Sequence, residues 1–270
     1  MNKRIVFLGS SGVIQIPSFF CTCQNCKSAR ENLSQRRTRA SLALLGLENT
    51  IIDVSPDIAM QLEREKIRTI HNIFITHWHF DHVYSLSELN ETSIAGRFAP
   101  FNLYIHKDLI GILNDMYFWM KNVFNAIPVE PGDVLDIKDS KVEVVKTCHT
   151  ENSIGYVFRT DTSFCYLGDG VEPEKNTFDR IKNCDILISE ALMDELLLMP
   201  GEPKWYHFSV EEAIQFWRKT AIPKCILTHL SCHNWKNKRI CEGFTSNKRK
   251  EIENNNDGLK FAYDGLTIEV

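Results

Sequence analysis

Thr76-His77-Trp78-His79-Phe80-Asp81-His82 follows directly on the apolar run Asn72-Ile73-Phe74-Ile75. Three imidazoles and a carboxylate are crowded into one turn after what reads as a short buried strand. Alternation along an extended segment puts His77, His79 and Asp81 on one side. His82 then turns the other way, with a helix expected to begin at Val83. Two metal ions can share such a turn, one taking His77 and His79, the other Asp81 and His82. The blander alternative is a histidine-rich surface loop. With only 9 His in 270 residues, three in one turn favour the metal site.

The motif has the form H-x-H-x-D-H and resembles that of the metallo-β-lactamase superfamily of binuclear metallohydrolases. Further ligands are then expected on downstream strand ends, and the chain offers them. His149 ends the run Val142 to Cys148, Asp169 follows Ser163 to Gly168, and His229 follows Lys224 to Thr228. The resemblance implies that His77, His79 and His149 hold one metal, that Asp81, His82 and His229 hold the other, and that Asp169 bridges them. It also implies that Asp53, at the end of the strand Thr50 to Val54, supports the metal loop from outside. The implied fold is a four-layer αββα sandwich of two mixed sheets with outer helices, in α/β (α+β) class, extending over residues 1–270 as one domain.

A second constellation is built from thiols. Cys21-Thr22-Cys23-Gln24-Asn25-Cys26 has the form C-x-C-x-x-C, which suits a tetrahedral structural zinc lacking one ligand. Leu230-Ser231-Cys232-His233 could supply the fourth. In the relatives that ligand is a histidine three residues after the active-site histidine. Cys232 occupies that position here and is favoured, with His233 as the alternative. Such an ion would clamp the loop at about 17–40 against the loop after His229. Three buried, metal-free thiols are the competing reading.

Composition limits the rest. A chain with 43% hydrophobic residues can bury a full core. Its net charge of −4 at pH 7 gives no global basic field and argues against nucleic acid as a partner. No run approaches the ~18 apolar residues of a membrane span, and the opening Met1 to Leu8 leads straight into a strand. Nine cysteines without an export signal suggest a reducing cytoplasm. The basic stretch Arg30 to Arg39 reads as a solvated loop face. Strands are expected over Ile5–Leu8, Ala40–Leu45, Thr50–Val54, Phe101–His106, Val134–Ile137, Lys141–Thr147, Ile154–Thr160, Ser163–Leu167 and Asp185–Ser189. Helices are expected over Pro56–Lys66, Lys107–Ala126, Pro173–Lys182 and Ser209–Thr220, and a hairpin around Asp264-Gly265. The apolar stretch within 109–126 could roof a pocket, form a homodimer face or simply pack in the core.

His207 precedes the helix whose N-cap is expected to be Ser209. In phosphodiesterase branches of the superfamily a histidine so placed contacts the substrate phosphate, which makes His207 the candidate acid and Asp81 a candidate catalytic group beside its role as ligand. Two ions together would activate a water and neutralise charge developing on a phosphoryl oxygen. The cysteine cluster, the segment Arg36 to Ser41, the histidine motif, Leu227 to Ser231 and Asp264-Gly265 together resemble the phosphoribosyl 1,2-cyclic phosphate phosphodiesterase branch. The expectation is a hydrolase that opens a small cyclic phosphodiester, using two divalent ions, Zn or Mn, besides one structural Zn. Alternatives are a protein of the pyrroloquinoline quinone biosynthesis type, a tRNA 3′-processing endonuclease, and a metal-binding module without turnover.

Overall fold

The computed structural model describes residues 3–94, 100–119, 123–138, 140–192, 206–231 and 245–270. The first half of the chain forms β1 (Arg4–Gly9), β2 (Ser41–Leu45), β3 (Thr50–Ile52), β4 (Asn72–Phe74), β5 (Phe101–His106) and β6 (Phe124–Val129). The second half forms β7 (Val134–Ile137), β8 (Ser140–Lys146), β9 (Ile154–Arg159), β10 (Phe164–Tyr166), β11 (Ile186–Glu190), β12 (Lys224–Thr228) and β13 (Leu259–Phe261), before β14 (Thr267–Glu269). One sheet has the order β14-β1-β2-β3-β4-β5-β6 and the other β13-β12-β11-β10-β9-β8-β7. Both are mixed: β3 to β6 and β10 to β13 pair in parallel, the remaining neighbours antiparallel.

Strand periodicity sorts the apolar side chains into layers. Ile5 and Phe7 of β1 enter the core between the sheets, whereas Val6 and Leu8 face the outer helices. Likewise Ile186 and Ile188 of β11 point inward and Leu187 outward. Because both faces are covered, these strands read as continuous apolar runs. Phe74 stacks on Tyr104 of its own sheet at 4.3 Å and meets Tyr156 and Phe158 of the other edge-on at 4.9 and 5.7 Å. Those rings join the two sheets directly beneath the histidine motif.

The helices are α1 (Gln24–Glu31), α2 (Ile58–Arg64), α3 (Phe80–Val83), α4 (Leu86–Ile94), α5 (Ile110–Met116), α6 (Lys175–Ile181), α7 (Val210–Thr220) and α8 (Ser246–Asn254). Residues of α2, α4 and α5 pack on the outer face of the first sheet, and those of α6, α7 and α8 on that of the second. The four layers and two mixed sheets are those of the expected sandwich. α7 begins on a capping box in which Ser209 and Glu212 exchange hydrogen bonds, satisfying two backbone donors that would otherwise be unpaired.

Three local expectations fail for identifiable reasons. The Lys107–Ala126 helix stops at Met116, and Phe124 begins an edge strand parallel to β5. Pro128 is tolerated there because an edge strand has a side without a ladder. The Asp264-Gly265 turn makes no hairpin: β13 pairs with β12 and β14 with β1, so the chain crosses between sheets. Asp264 fastens that crossing, accepting from Thr38 N at 2.8 Å, Thr38 Oγ1 at 2.6 Å and Ser10 Oγ at 2.8 Å. Finally, Arg37 and Thr38 are buried rather than solvated; Arg37 Nη1 donates to Ser10 Oγ and to the Ala262 carbonyl. No helix among the described residues is long and apolar enough to cross a membrane.

Candidate active site

Apart from His207, which precedes a helix, every side chain of the candidate site leaves the carboxyl end of a strand or a loop beside one. Asp53 follows β3, the histidine motif follows β4, His149 follows β8, Asp169 follows β10, Glu190 ends β11 and His229 follows β12. The carboxyl ends of strands are where such sheets place ligands. Within the motif the helix starts earlier than expected. Phe80 already opens α3, so Asp81 and His82 project from a helical turn and simple strand alternation fails at Asp81.

The donors converge on one carboxylate. Asp169 Oδ2 lies 3.3 Å from His229 Nε2, 3.4 Å from His82 Nε2 and 3.8 Å from His77 Nε2. Asp81 Oδ2 lies 3.2 Å from His229 Nε2 and 3.5 Å from His82 Nε2. On the other side His149 Nε2 is 3.1 Å from His79 Nδ1, while His149 Nδ1 donates to the Tyr206 carbonyl at 2.9 Å. Ligand atoms about 2.0–2.1 Å from a tetrahedral cation stand about 3.3 Å apart, so these separations fit shared ions. The buried Nε2 atoms of His77 and His82 have no hydrogen-bond partner among the described residues, and a cation would supply one. His77, His79 and His149 form one compatible triad, Asp81, His82 and His229 a second, and Asp169 belongs to a group with His77 and His82.

A second tier of contacts aims these rings. His82 Nδ1 meets Asp53 Oδ2 at 2.7 Å, leaving Nε2 to face the cradle. Asp53 also accepts from Thr76 N and Thr76 Oγ1, both at 2.8 Å, which ties β3 to the histidine loop. Asp53 and His229 adopt left-handed backbone with φ of 62° and 56°, and Gly168 beside Asp169 has φ of 62°.

Charge follows from burial and neighbours. Burial raises the Asp81 and Asp169 carboxyls, but the surrounding imidazoles of His82 and His229 win and hold both below the usual range. Burial lowers His82 and His229, yet the carboxylates around them raise both. His77 goes down, chiefly through burial and then through His82; His149 falls to about 4, again chiefly through burial.

His207 sits against this group, its ring centroid 4.7 Å from that of His149. Its Nδ1 lies 2.7 Å from Glu190 Oε2 and 2.9 Å from Oε1. Burial lowers the imidazole, but Glu190 outweighs it and raises His207 to about 9. Glu190 is fully buried and also accepts from Gly170 N at 2.6 Å, beside Asp169. Sequence reasoning missed Glu190, ending the strand at Ser189. The available signal was a carboxylate closing the apolar run Ile186-Leu187-Ile188 at a strand's carboxyl end.

The sulfur atoms of Cys21, Cys23 and Cys26 also lie within 4.8 Å of one another. Cys23 caps α1, its sulfur accepting from Cys26 N at 3.5 Å. Burial, with added pressure from the other two thiols, pushes Cys21 up to about 12. Cys232 and His233 lie outside the described residues. The chain leading to them is nevertheless pinned beside the N-terminal loop: Gly12 N donates to the Leu230 carbonyl at 3.1 Å and Leu230 N to that of Ser10 at 2.9 Å.

Comparison with known proteins agrees with this architecture. The chain is 27% identical over 241 residues to an octanoyltransferase of Porphyromonas gingivalis, covering 85% of this chain and 46% of that protein. It therefore spans about half the length of that relative. A ribonuclease Z of Archaeoglobus fulgidus is 24% identical over 292 aligned positions, covering 86% of this chain and 88% of that one. Among solved structures, a diphosphatase from the PhnP family superposes with a TM-score of 0.83 at 23% identity, covering 100% of this chain and 98% of that chain. Zn(2+)-bound PqqB from Methylobacterium extorquens gives 0.81 at 20% identity, covering 99% and 100%. At such identities the superpositions establish the fold alone. The β-lactamase superfamily domain matches residues 48–230, from just before β3 to just past His229, and the chain belongs to that superfamily.

Proposed function

We propose that this protein is a metal-dependent phosphodiesterase acting on a small phosphate diester, with a cyclic ribose phosphate as the leading case. The observation that carries the reading is the set of buried Nε2 atoms, on His77 and His82, left unpartnered around the Asp169 carboxylate. His77, His79 and His149 would hold one divalent ion, Asp81, His82 and His229 a second, with Asp169 shared. Ions bound there supply an acidified water and neutralise charge on a phosphoryl oxygen. Asp53 fixes the His82 ring for this task through the 2.7 Å contact.

His207 completes the reaction on the leaving side. Held at about 9 by Glu190, it is protonated at neutral pH and can give its Nε2 proton to the departing alkoxide. Glu190 stabilises the cationic ring and, through the Gly170 amide, ties it to the loop carrying Asp169. Cys21, Cys23 and Cys26 are assigned to a separate structural zinc, whose fourth ligand is Cys232 or His233.

The test is hydrolysis of bis(p-nitrophenyl) phosphate and of ribose cyclic phosphate by protein loaded with Mn or Zn, with metal analysis on the same sample. About three ions per chain and turnover above the metal blank are expected. Protein carrying its ions but hydrolysing neither ester would overturn the proposal. The likeness to ribonuclease Z supports a second reading, an RNA diester, which the net charge of −4 disfavours.

A further inference from the structure

Beside the cradle opens a cleft of about 210 Å³, lined by Trp78, His79, Leu109, Thr150, Glu151 and Asn152. A second cleft, of about 250 Å³ between α7 and α8, has no cradle residue in its wall. The first shares His79 with the candidate metal site, so whatever fills it lies beside that site. Its size is below the ~300–1,000 Å³ typical of whole-ligand pockets, which suits one portion of a substrate.

The lining is rigid and chemically selective. Trp78 is half-buried, packed on the outer core and edge-on to Tyr117 at 6.4 Å and 67°. Thr150, Glu151 and Asn152 form a turn pinned at both ends: Thr150 N donates to Ser153 Oγ at 3.1 Å, and Ser153 N to the Thr150 carbonyl at 3.2 Å. Lys146 Nζ is committed to the Thr150 and Glu151 carbonyls. Ile154 N donates to the Thr76 carbonyl at 2.9 Å, fixing the turn against the histidine loop. The side chains of Glu151 and Asn152 have no hydrogen-bond partner among the described residues. Among the described residues no Lys or Arg lines the cleft. An indole beside a free carboxylate and amide suits a flat apolar ring that carries hydrogen-bond donors, and repels a second phosphate.

We propose that this cleft binds the leaving group and selects a neutral planar ring bearing N–H donors, a nucleoside rather than a bare sugar. The ring packs on Trp78 and its donors reach Glu151 and Asn152. The assignment to the leaving group rests on the phosphodiesterase reading; the ring site itself does not.

Equilibrium dialysis of the metal-loaded protein with labelled guanosine and labelled ribose tests the site without turnover. Guanosine should bind at least about tenfold tighter than ribose, given stacking worth about 5- to 150-fold per base. Trp78→Leu and Glu151→Gln should each weaken guanosine binding by about tenfold, with ion content checked for both. Glu151 is exposed, so its variant is a test that does not depend on core packing. Guanosine should also raise KM for bis(p-nitrophenyl) phosphate without lowering kcat. Guanosine binding no tighter than ribose, or tight binding retained in both variants, would overturn the inference. Hydrolysis without guanosine binding defeats the cleft alone; guanosine binding without hydrolysis defeats the phosphodiesterase reading and leaves a nucleoside site.

Discussion

The imidazole–carboxylate cradle and the cysteine cluster are both candidate metal sites, yet they are built in opposite ways. The cradle draws its groups from the ends of β4, β8, β10 and β12, in both sheets, so it exists only once the sandwich has closed. The cysteine cluster takes its three sulfurs from one short stretch, Cys21 to Cys26, in which Cys23 caps α1. A site assembled by the whole core is preorganised by it and suits chemistry. One assembled locally suits a clamp, because metal binding there orders the loop.

Substitutions in the two sites should therefore separate catalysis from stability. Asp169→Asn, at the centre of the cradle, should cut turnover by at least about 10³-fold and reduce metal content toward the single clamp ion, read by metal analysis. Retention of all ions with normal rates would dissolve the contrast. Glu190→Gln should slow turnover by about 10²- to 10⁴-fold with the ions retained, and shift the His207 titration in NMR down from about 9. An unmoved titration would mean the buried carboxylate does not set that ring's charge. Asp53→Asn should weaken metal binding by about 10- to 100-fold, measured by competition with a chelator. Cys23→Ser should lose one zinc and lower the melting temperature while the cradle keeps its own ions; loss of cradle ions as well would show that the two sites are not independent.

A separate expectation concerns pH. His207 is raised to about 9 in the folded chain, so its pairing with Glu190 contributes fully below the unfolded value near 6.5 and is lost as pH passes about 9. His82 and His229, also raised, contribute with the same sign in the ion-free protein. Urea unfolding of ion-free protein should therefore show stability falling across that window by a few kcal/mol at about 1.4 per pH unit for one proton. Glu190→Gln should flatten part of the slope. Stability rising over the same window would contradict the assigned charges.

Much of this was legible in the sequence because the decisive signals are local. His77 to His82 announce themselves by spacing, and His149, Asp169 and His229 each follow a short β-like apolar run. What escaped depends on partners distant in the chain. Glu190 looks like an ordinary strand-end residue until the segment before α7 brings His207 against it. Arg37 looks like one more surface cation until Ser10 and the Ala262 carbonyl close over it. The Asp264-Gly265 pair signals a turn correctly but cannot say that its two flanks belong to different sheets. Cys232 and His233, the two residues expected to complete the cysteine cluster, lie outside the described residues.

The left-handed backbone at Asp53 and His229 has a cost that falls on the fold, not on the chemistry. An L-residue in that conformation gives up about 1–2 kcal/mol, recovered here only while the side chain has something to hold. Descendants that abandon the reaction are thus free to put glycine or asparagine at these two places and become hardier for it. A gain in heat tolerance accompanying such a replacement would be the thermodynamic trace of a forsaken trade.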